Sequence, residues 1–326
     1  MRIYFAWIAA TAAAWAFQAV KPPARAIIQD QSHLSQVMRG PRVYRVYLPP
    51  AYPASQKRYP VIYWFHGYEP ENQERASEFA SFVAAHDTIL VDSGPVETTG
   101  SFPLYFPELV GQIDKTLRTI PDRDHRAVAG FAMGGYLAMF EAGKSPDMVS
   151  SASSLMAPAE APVGPTGFDV DYNPADFAGG FDGVRTRLVT HGGPDAGSLL
   201  WREALDFHVH AFANPLPKPA VFHHADAYPN FTVWGWEVVS DRRRPGFTVL
   251  ENVGRSGFRS AVREWIPAGA AIAQVKLSIA SPSLPSRTTR TPLAAVSAAI
   301  TSPNASRYAV AKRPISPSLP DLTRWG

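Results

Sequence analysis

Two glycines four positions apart, Gly130 and Gly134, restrict the fold of this chain more tightly than anything else in its sequence. They lie in Val128-Ala129-Gly130-Phe131-Ala132-Met133-Gly134-Gly135-Tyr136, between a short apolar run, Arg126 to Ala129, and a run with helical spacing, Tyr136 to Lys144. A chain that leaves a strand and starts a helix within so few residues turns sharply. The residue at the apex, here Ala132, is then held in a strained backbone conformation. The residues two places before and after it must lack side chains for the turn to close.

Around this turn, strand-like and helix-like runs alternate. Gly40 to Leu48 is extended and is stopped by Pro49-Pro50. Tyr59 to Phe65 is almost wholly apolar, with Val61, Ile62, Tyr63 and Trp64, as expected of a strand covered on both faces. Thr88 to Val91 and Thr186 to Thr190 are further strands. Phe106 to Thr119 places Leu109, Val110, Ile113 and Leu117 at helical spacing, and Ser198 to Phe212 reads as another helix. Glu108 belongs to a helix start. Strands alternating with helices predict an α/β fold with a doubly wound, mostly parallel sheet. The pattern changes at Pro215-Leu216-Pro217-Lys218-Pro219. The later runs are all extended: Ala220 to His224, Thr232 to Ser240, Thr248 to Val253, Phe258 to Glu264 and Gln274 to Ile279. They predict a small all-β domain.

The two ends have characters of their own. Arg2 followed by an apolar run from Ile3 to Phe17 and the small-x-small step Ala24-Arg25-Ala26 predict a secretory signal peptide over residues 1–26. The expected location is therefore secreted or periplasmic. No later segment is long and apolar enough to predict a membrane span. Residues 281–326 are rich in Ser, Pro, Thr and Ala. They hold Arg287, Arg290, Arg307, Lys312, Arg313 and Arg324 against one acid, Asp321. The net charge of +3 thus comes from this tail, which is expected to be disordered, while the body is near neutral and shows no basic surface for nucleic acid. The expected organisation is signal peptide 1–26, α/β domain 27–215, small β-domain 216–280 and tail 281–326. With no cysteine in 326 residues, disulfides, thiolate nucleophiles and cysteine-ligated metals are excluded. No histidine and carboxylate set stands at convincing metal-ligand spacing, so no metal and no cofactor is expected.

The Gly130-to-Gly134 turn has the form G-x-S-x-G of a nucleophile elbow, except that its centre is Ala132 rather than serine. Upstream, Phe65-His66-Gly67-Tyr68 closes the apolar strand. In such folds this loop and the residue after the apex supply backbone N–H groups to an oxyanion hole, here Tyr68 and Met133. In order and at strand ends, the two motifs resemble the esterase family of α/β-hydrolases that contains esterase D-like and feruloyl-esterase-like enzymes. The likeness spans about residues 30–215 and includes Val43-Tyr44-Arg45-Val46-Tyr47-Leu48-Pro49-Pro50. It implies carboxylic ester hydrolysis by a Ser-His-Asp triad without cofactor.

The family's triad acid follows a late strand, which makes Asp195 in His191-Gly192-Gly193-Pro194-Asp195 the natural candidate. The family then needs a further strand and a histidine-bearing turn before its last helix, and this chain leaves no room for them. Either Asp195 is the acid and the histidine segment is absent, or His191 is the base and the acid segment is absent. The alternative reading has Asp195 capping the following helix. His208, His210, His223 and His224 are expected to be structural. Two functions follow. One is an esterase-family hydrolase that is inactive or weak because Ala132 replaces the serine. The other is a pseudoenzyme that binds an acyl or carbohydrate ligand, suggested by the aromatic stretch Tyr228, Phe231, Trp234 and Trp236. An isolated change at position 132 in an otherwise active enzyme is a third option, which the missing triad segment disfavours. The expected partner in each case is a small-molecule ester, acyl or carbohydrate ligand.

Overall fold

The computed structural model describes residues 25–66, 73–94, 102–157, 180–189, 197–226, 228, 230–240, 246–255, 257–264 and 277–280. The predicted signal peptide, apart from its last two residues, and the predicted tail lie outside the described residues. The chain divides into two compact units, one ending at Pro219 and the other beginning at Ala220.

In the first unit, β1 (Ile27–Ser35) and β2 (Gly40–Leu48) form an antiparallel hairpin. The strands β3 (Val61–Phe65), β4 (Ile89–Asp92), β5 (Arg126–Phe131), β6 (Ser151–Leu155) and β7 (Arg185–Val189) are mutually parallel. The sheet order is β1-β2-β4-β3-β5-β6-β7, with β2 antiparallel to β4. Helices α1 (Gln73–Ala85), α2 (Phe102–Thr116), α3 (Met133–Lys144) and α4 (Gly197–Ala213) fill the crossovers. Alternate residues of β3 show how the two faces are covered. Val61, Tyr63 and Phe65 join Phe106, Leu109, Ile113 and Ala138 of α2 and α3 in one core. Ile62 and Trp64 join Phe79, Val83, Trp201 and Leu205 of α1 and α4 in the other. Every residue of β3 is buried, as a continuous apolar strand between two helical layers must be. This is the α/β-hydrolase fold.

Three elements of this unit carry weak sequence signals. β1, Ile-Ile-Gln-Asp-Gln-Ser-His-Leu-Ser, is a polar edge strand with exposed Ile28 and Leu34. α1 mixes polar and apolar residues with little periodicity. β6 reads Ser-Ala-Ser-Ser-Leu, yet all five residues are buried. Two of its three serines are partnered from α4: His208 lies between Ser151 Oγ, 2.8 Å from Nδ1, and Ser153 Oγ, 2.8 Å from Nε2. α2 starts at Phe102 rather than Phe106 and accommodates Pro107 inside it. Glu108 does not cap that helix. Its carboxylate accepts from Ser35 Oγ at 2.7 Å and from the Gln36 and Val37 N–H groups, which ties α2 to the β1–β2 turn.

The second unit contains two three-stranded antiparallel sheets. One is β12 (Gly257–Glu264), β11 (Gly246–Gly254) and β8 (Phe222–Asp226). The other is β13 (Leu277–Ala280), β10 (Trp236–Ser240) and β9 (Asn230–Val233). The run Thr232 to Ser240 is therefore two strands and not one. Trp234 and Gly235 between them have φ 52° and 82°, the conformation of a two-residue hairpin turn. Tryptophan is an unusual turn residue, so Gly235 was the sole local cue. Phe231 and Trp234 are buried with Phe222, Val238, Leu250 and Val253, and Trp236 packs against them. Phe231 and Trp234 of the aromatic stretch are thus core residues.

The fold makes a pH-dependent prediction. Burial, and secondarily the Arg187 charge, push His208 down to about 3 from 6.5. In the unfolded chain this histidine takes up a proton below its ordinary value, whereas in the folded chain it does not. Its contribution is therefore fully present above about pH 6.5 and declines as pH falls toward 3, by up to about 1.4 kcal/mol per unit. Urea unfolding at pH 7 and pH 5 should show a loss in the wild type that is larger than in His208→Gln by on the order of 1–2 kcal/mol. Equal losses would mean that the imidazole is not held unprotonated in the fold.

Candidate active site

The elbow closes as its glycines demand. β5 ends at Phe131 and α3 begins at Met133, with Ala132 between them at φ 50°, ψ −118°. Residues with side chains rarely enter this region. A Cβ on Gly130 would lie 2.2 Å from the Gly134 carbonyl, and one on Gly134 would lie 1.9 Å from the Phe65 carbonyl oxygen. The start of α3 thus rests directly on the end of β3. The Ala132 N–H donates to the Leu155 carbonyl at 2.8 Å, and the Ala132 carbonyl accepts from the Tyr136 N–H at 3.1 Å. These bonds pin the apex between β6 and the first turn of α3.

Ala132 and Met133 are partly exposed. The first amides of α3, Met133 N–H among them, have no acceptor within the helix and carry its positive dipole end. They are what the elbow offers to a ligand oxygen. Ala132 offers no oxygen of its own, so no acyl intermediate can form on it. Among the described residues, the serine hydroxyls at the neighbouring strand ends are buried. Ser154 is fully buried, and so is Ser93, whose Oγ donates to the Gly94 carbonyl at 3.3 Å.

Beside the elbow, the strand ends carry a buried chain of three ionisable side chains that sequence spacing did not single out. His66 follows β3, Asp92 ends β4 and Arg75 lies in the first turn of α1. His66 Nε2 contacts Asp92 Oδ1, and Arg75 Nη2 is 3.0 Å from His66 Nδ1. Asp92 Oδ1 also accepts from the Gly94 N–H at 3.2 Å. A guanidinium can only donate and a carboxylate can only accept. The ring therefore presents Nε2–H to Asp92, while the single Arg75 nitrogen, 3.0 Å from Nδ1 and 3.3 Å from Nε2, stands over the ring. His66 thus joins the end of β3 to the end of β4 and to α1.

The other expected site residues are not brought into view. Tyr68, His191 and Asp195 lie outside the described residues. The chain nevertheless limits what they could form. β7 is the last strand of the sheet, and residues 190–196 alone link it to α4. No further strand pairs with β7 among the described residues, and its Leu188 is exposed. No group of three or more His, Asp or Glu side chains suited to a metal ion occurs among the described residues. No helix among them is long and apolar enough to cross a membrane.

Comparison with known proteins bears on this geometry. The family described as "Putative esterase" matches residues 35–99 and 106–208. Esterase Rv1288 and Esterase MT1326, both of Mycobacterium tuberculosis, are 34% identical over 130 residues, which cover 35% of this chain. The chain spans 28% of the length of these relatives. A solved ferulic acid esterase aligns at 20% identity with a TM-score of 0.47, covering 57% of this chain and 99% of its own. A Staphylococcus aureus fluorophosphonate-binding serine hydrolase aligns at 13% identity with a TM-score of 0.47, covering 56% and 98%.

Two substitutions at the apex test the account. The strain at Ala132 costs about 1–3 kcal/mol, whereas a glycine costs about 0.5–1 kcal/mol in unfolded-state entropy. Ala132→Gly should therefore raise unfolding stability by about 1 kcal/mol; a fall in the urea midpoint would show the strain to be absent. Ala132→Ser should give no burst with an aryl ester, because a serine needs a base held by a third group. A burst would reveal a working base in the 190–196 segment.

Proposed function

The chain belongs to the "Putative esterase" family, and from that premise we propose that it is a member without serine chemistry that uses the ester crevice as a binding site for a small acyl or carboxylate ligand. The observation that supports this is Ala132 itself. It keeps the strained elbow conformation ahead of α3, whose first amides have no acceptor within the helix, yet it has no nucleophilic oxygen. An oxyanion hole is backbone geometry, so it survives loss of the hydroxyl and can hold a carbonyl or carboxylate oxygen without bond cleavage. The short link from β7 to α4 supports the same reading, since it leaves little chain for a second triad member. A carbohydrate ligand is less favoured because the aromatic residues that suggested it pack in the core of the second unit. We further propose that residues 1–26 direct export, so that the ligand is met outside the cytoplasm.

Loss of a triad serine removes on the order of 10⁶ in kcat and leaves about 10³–10⁴ over water from the oxyanion hole and binding. The purified chain should hydrolyse small aryl esters no faster than that residual level. It should also take up no fluorophosphonate label, because labelling requires a nucleophile. Stoichiometric labelling would overturn the proposal.

A further inference from the structure

Strand β1 is an edge of the seven-stranded sheet. It pairs with β2 on one side, and among the described residues no strand pairs with the other. An edge strand presents a row of N–H and C=O groups to any strand that can add to it, and folds guard such edges with short strands, lysine, proline or a bulge. The opposite edge is guarded in this way: β7 has five residues, two of them Arg185 and Arg187. β1 has none of these devices. Its nine residues, Ile27-Ile28-Gln29-Asp30-Gln31-Ser32-His33-Leu34-Ser35, include no lysine, arginine or proline, and all nine keep one register with β2. Its one acid, Asp30, is paired with Arg45 of β2 at 2.6 Å. Its histidine, His33, is held below its ordinary value, chiefly by burial, and carries no charge at pH 7.

Successive side chains of a strand point to opposite faces. On one face of the hairpin stand Ile28, Asp30, Ser32 and Leu34, beside Tyr47, Arg45, Val43 and Pro41 of β2. Three aliphatic residues of this face face solvent: Ile28 is 49% exposed, Leu34 68% and Val43 59%. Ile28 and Leu34 lie at equal distances on either side of Gln31, and that spacing makes the strand complementary to itself. When two β1 strands run antiparallel about a two-fold axis at Gln31, Ile28 of each copy faces Leu34 of the other, Gln29 faces His33 and Asp30 faces Ser32. No like charges stand opposite one another, and the outward N–H and C=O groups of one edge meet those of the other. The neighbouring registers are worse. An axis at Asp30 sets two carboxylates face to face, and an axis at Ser32 sets Asp30 against Leu34.

We propose that β1 is the interface with a second copy of this chain, in which two β1 strands pair antiparallel about Gln31 and carry the sheet from one copy into the next. This is independent of what the crevice binds. A junction of one strand pair is small, so a dissociation constant on the order of 10–100 μM is expected. Sedimentation of the full chain over a range of concentrations tests it, alongside Ile28→Glu, Leu34→Lys and the double variant. Both side chains are exposed, so each single variant should melt within about 2 °C of the wild type, yet associate at least about tenfold more weakly. Residues 28 and 34 are about 20 Å apart along one strand and can meet only across the junction. The double variant sets an acid against a base twice there and should associate about fivefold more tightly than either single variant. A second arm needs no charged substitution. The chain has no cysteine, so Gln31→Cys gives it a single thiol. With copper phenanthroline that variant should form a covalent dimer, since the two Cα atoms would stand about 4.5–5.5 Å apart, whereas Gln29→Cys, at about 13 Å, should not. A wild type that stays monomeric to about 500 μM, as it would were another segment of the same chain to take the edge, overturns the proposal. So does a dimer that neither single substitution weakens, a double variant no tighter than the single ones, or equal crosslinking at positions 29 and 31.

Discussion

The Phe65 carbonyl oxygen occupies the place where a side chain on Gly134 would have to be. Much of the first unit depends on that contact. It sets the start of α3 against the end of β3, and it forces the chain leaving β5 through Ala132 at a positive φ. The α3 amides then face the crevice at the C-terminal ends of the strands, where ligands of open parallel sheets bind. None of this requires a serine. The crevice is a product of backbone packing, and the hydroxyl that other elbows carry would be an addition to it. That is why a chain without the nucleophile can keep the shape of the site.

A second constraint lies at the far end of the sheet. Among the described residues β7 is the edge, where Arg185 bonds the carbonyl of Asn214, just after α4, and Arg187 pairs with Glu203 of α4. The chain then reaches α4 through residues 190–196. The edge and Ala132 thus bear on the same proposal from two sides, one from the topology and one from a side chain without a nucleophilic oxygen. In the middle of the sheet, Arg75, His66 and Asp92 join the first turn of α1 to the ends of β3 and β4.

How much of this could be read in advance follows from which forces are local. The glycine pair and the apolar run of β3 are local, and they identified the elbow and the doubly wound sheet. β6 was invisible because Ser151 and Ser153 find their buried partner in His208 of α4, more than fifty residues away. The Trp234-Gly235 turn was hidden because tryptophan reads as strand, while the hairpin is fixed by packing in the β-domain core. The His66 and Asp92 pairing depends on β3 and β4 lying side by side in parallel. The available cue was a histidine just past one buried strand and an aspartate ending the next. The roles of His191, Asp195 and Tyr68 rest on segments that the sequence could nominate but not place.

The central claim is that the elbow retains a working oxygen-binding site without its nucleophile. The most direct measurement is the backbone amide chemical shift of Met133, Gly134 and Gly135 in the isotope-labelled chain during titration with acetate. The account predicts saturable downfield movement of the Met133 amide, with smaller changes at Gly134 and Gly135 and an affinity between about millimolar and micromolar. If these amides stay still while the titration perturbs only residues remote from Ala132, or none, the crevice is not a binding site and the claim is wrong.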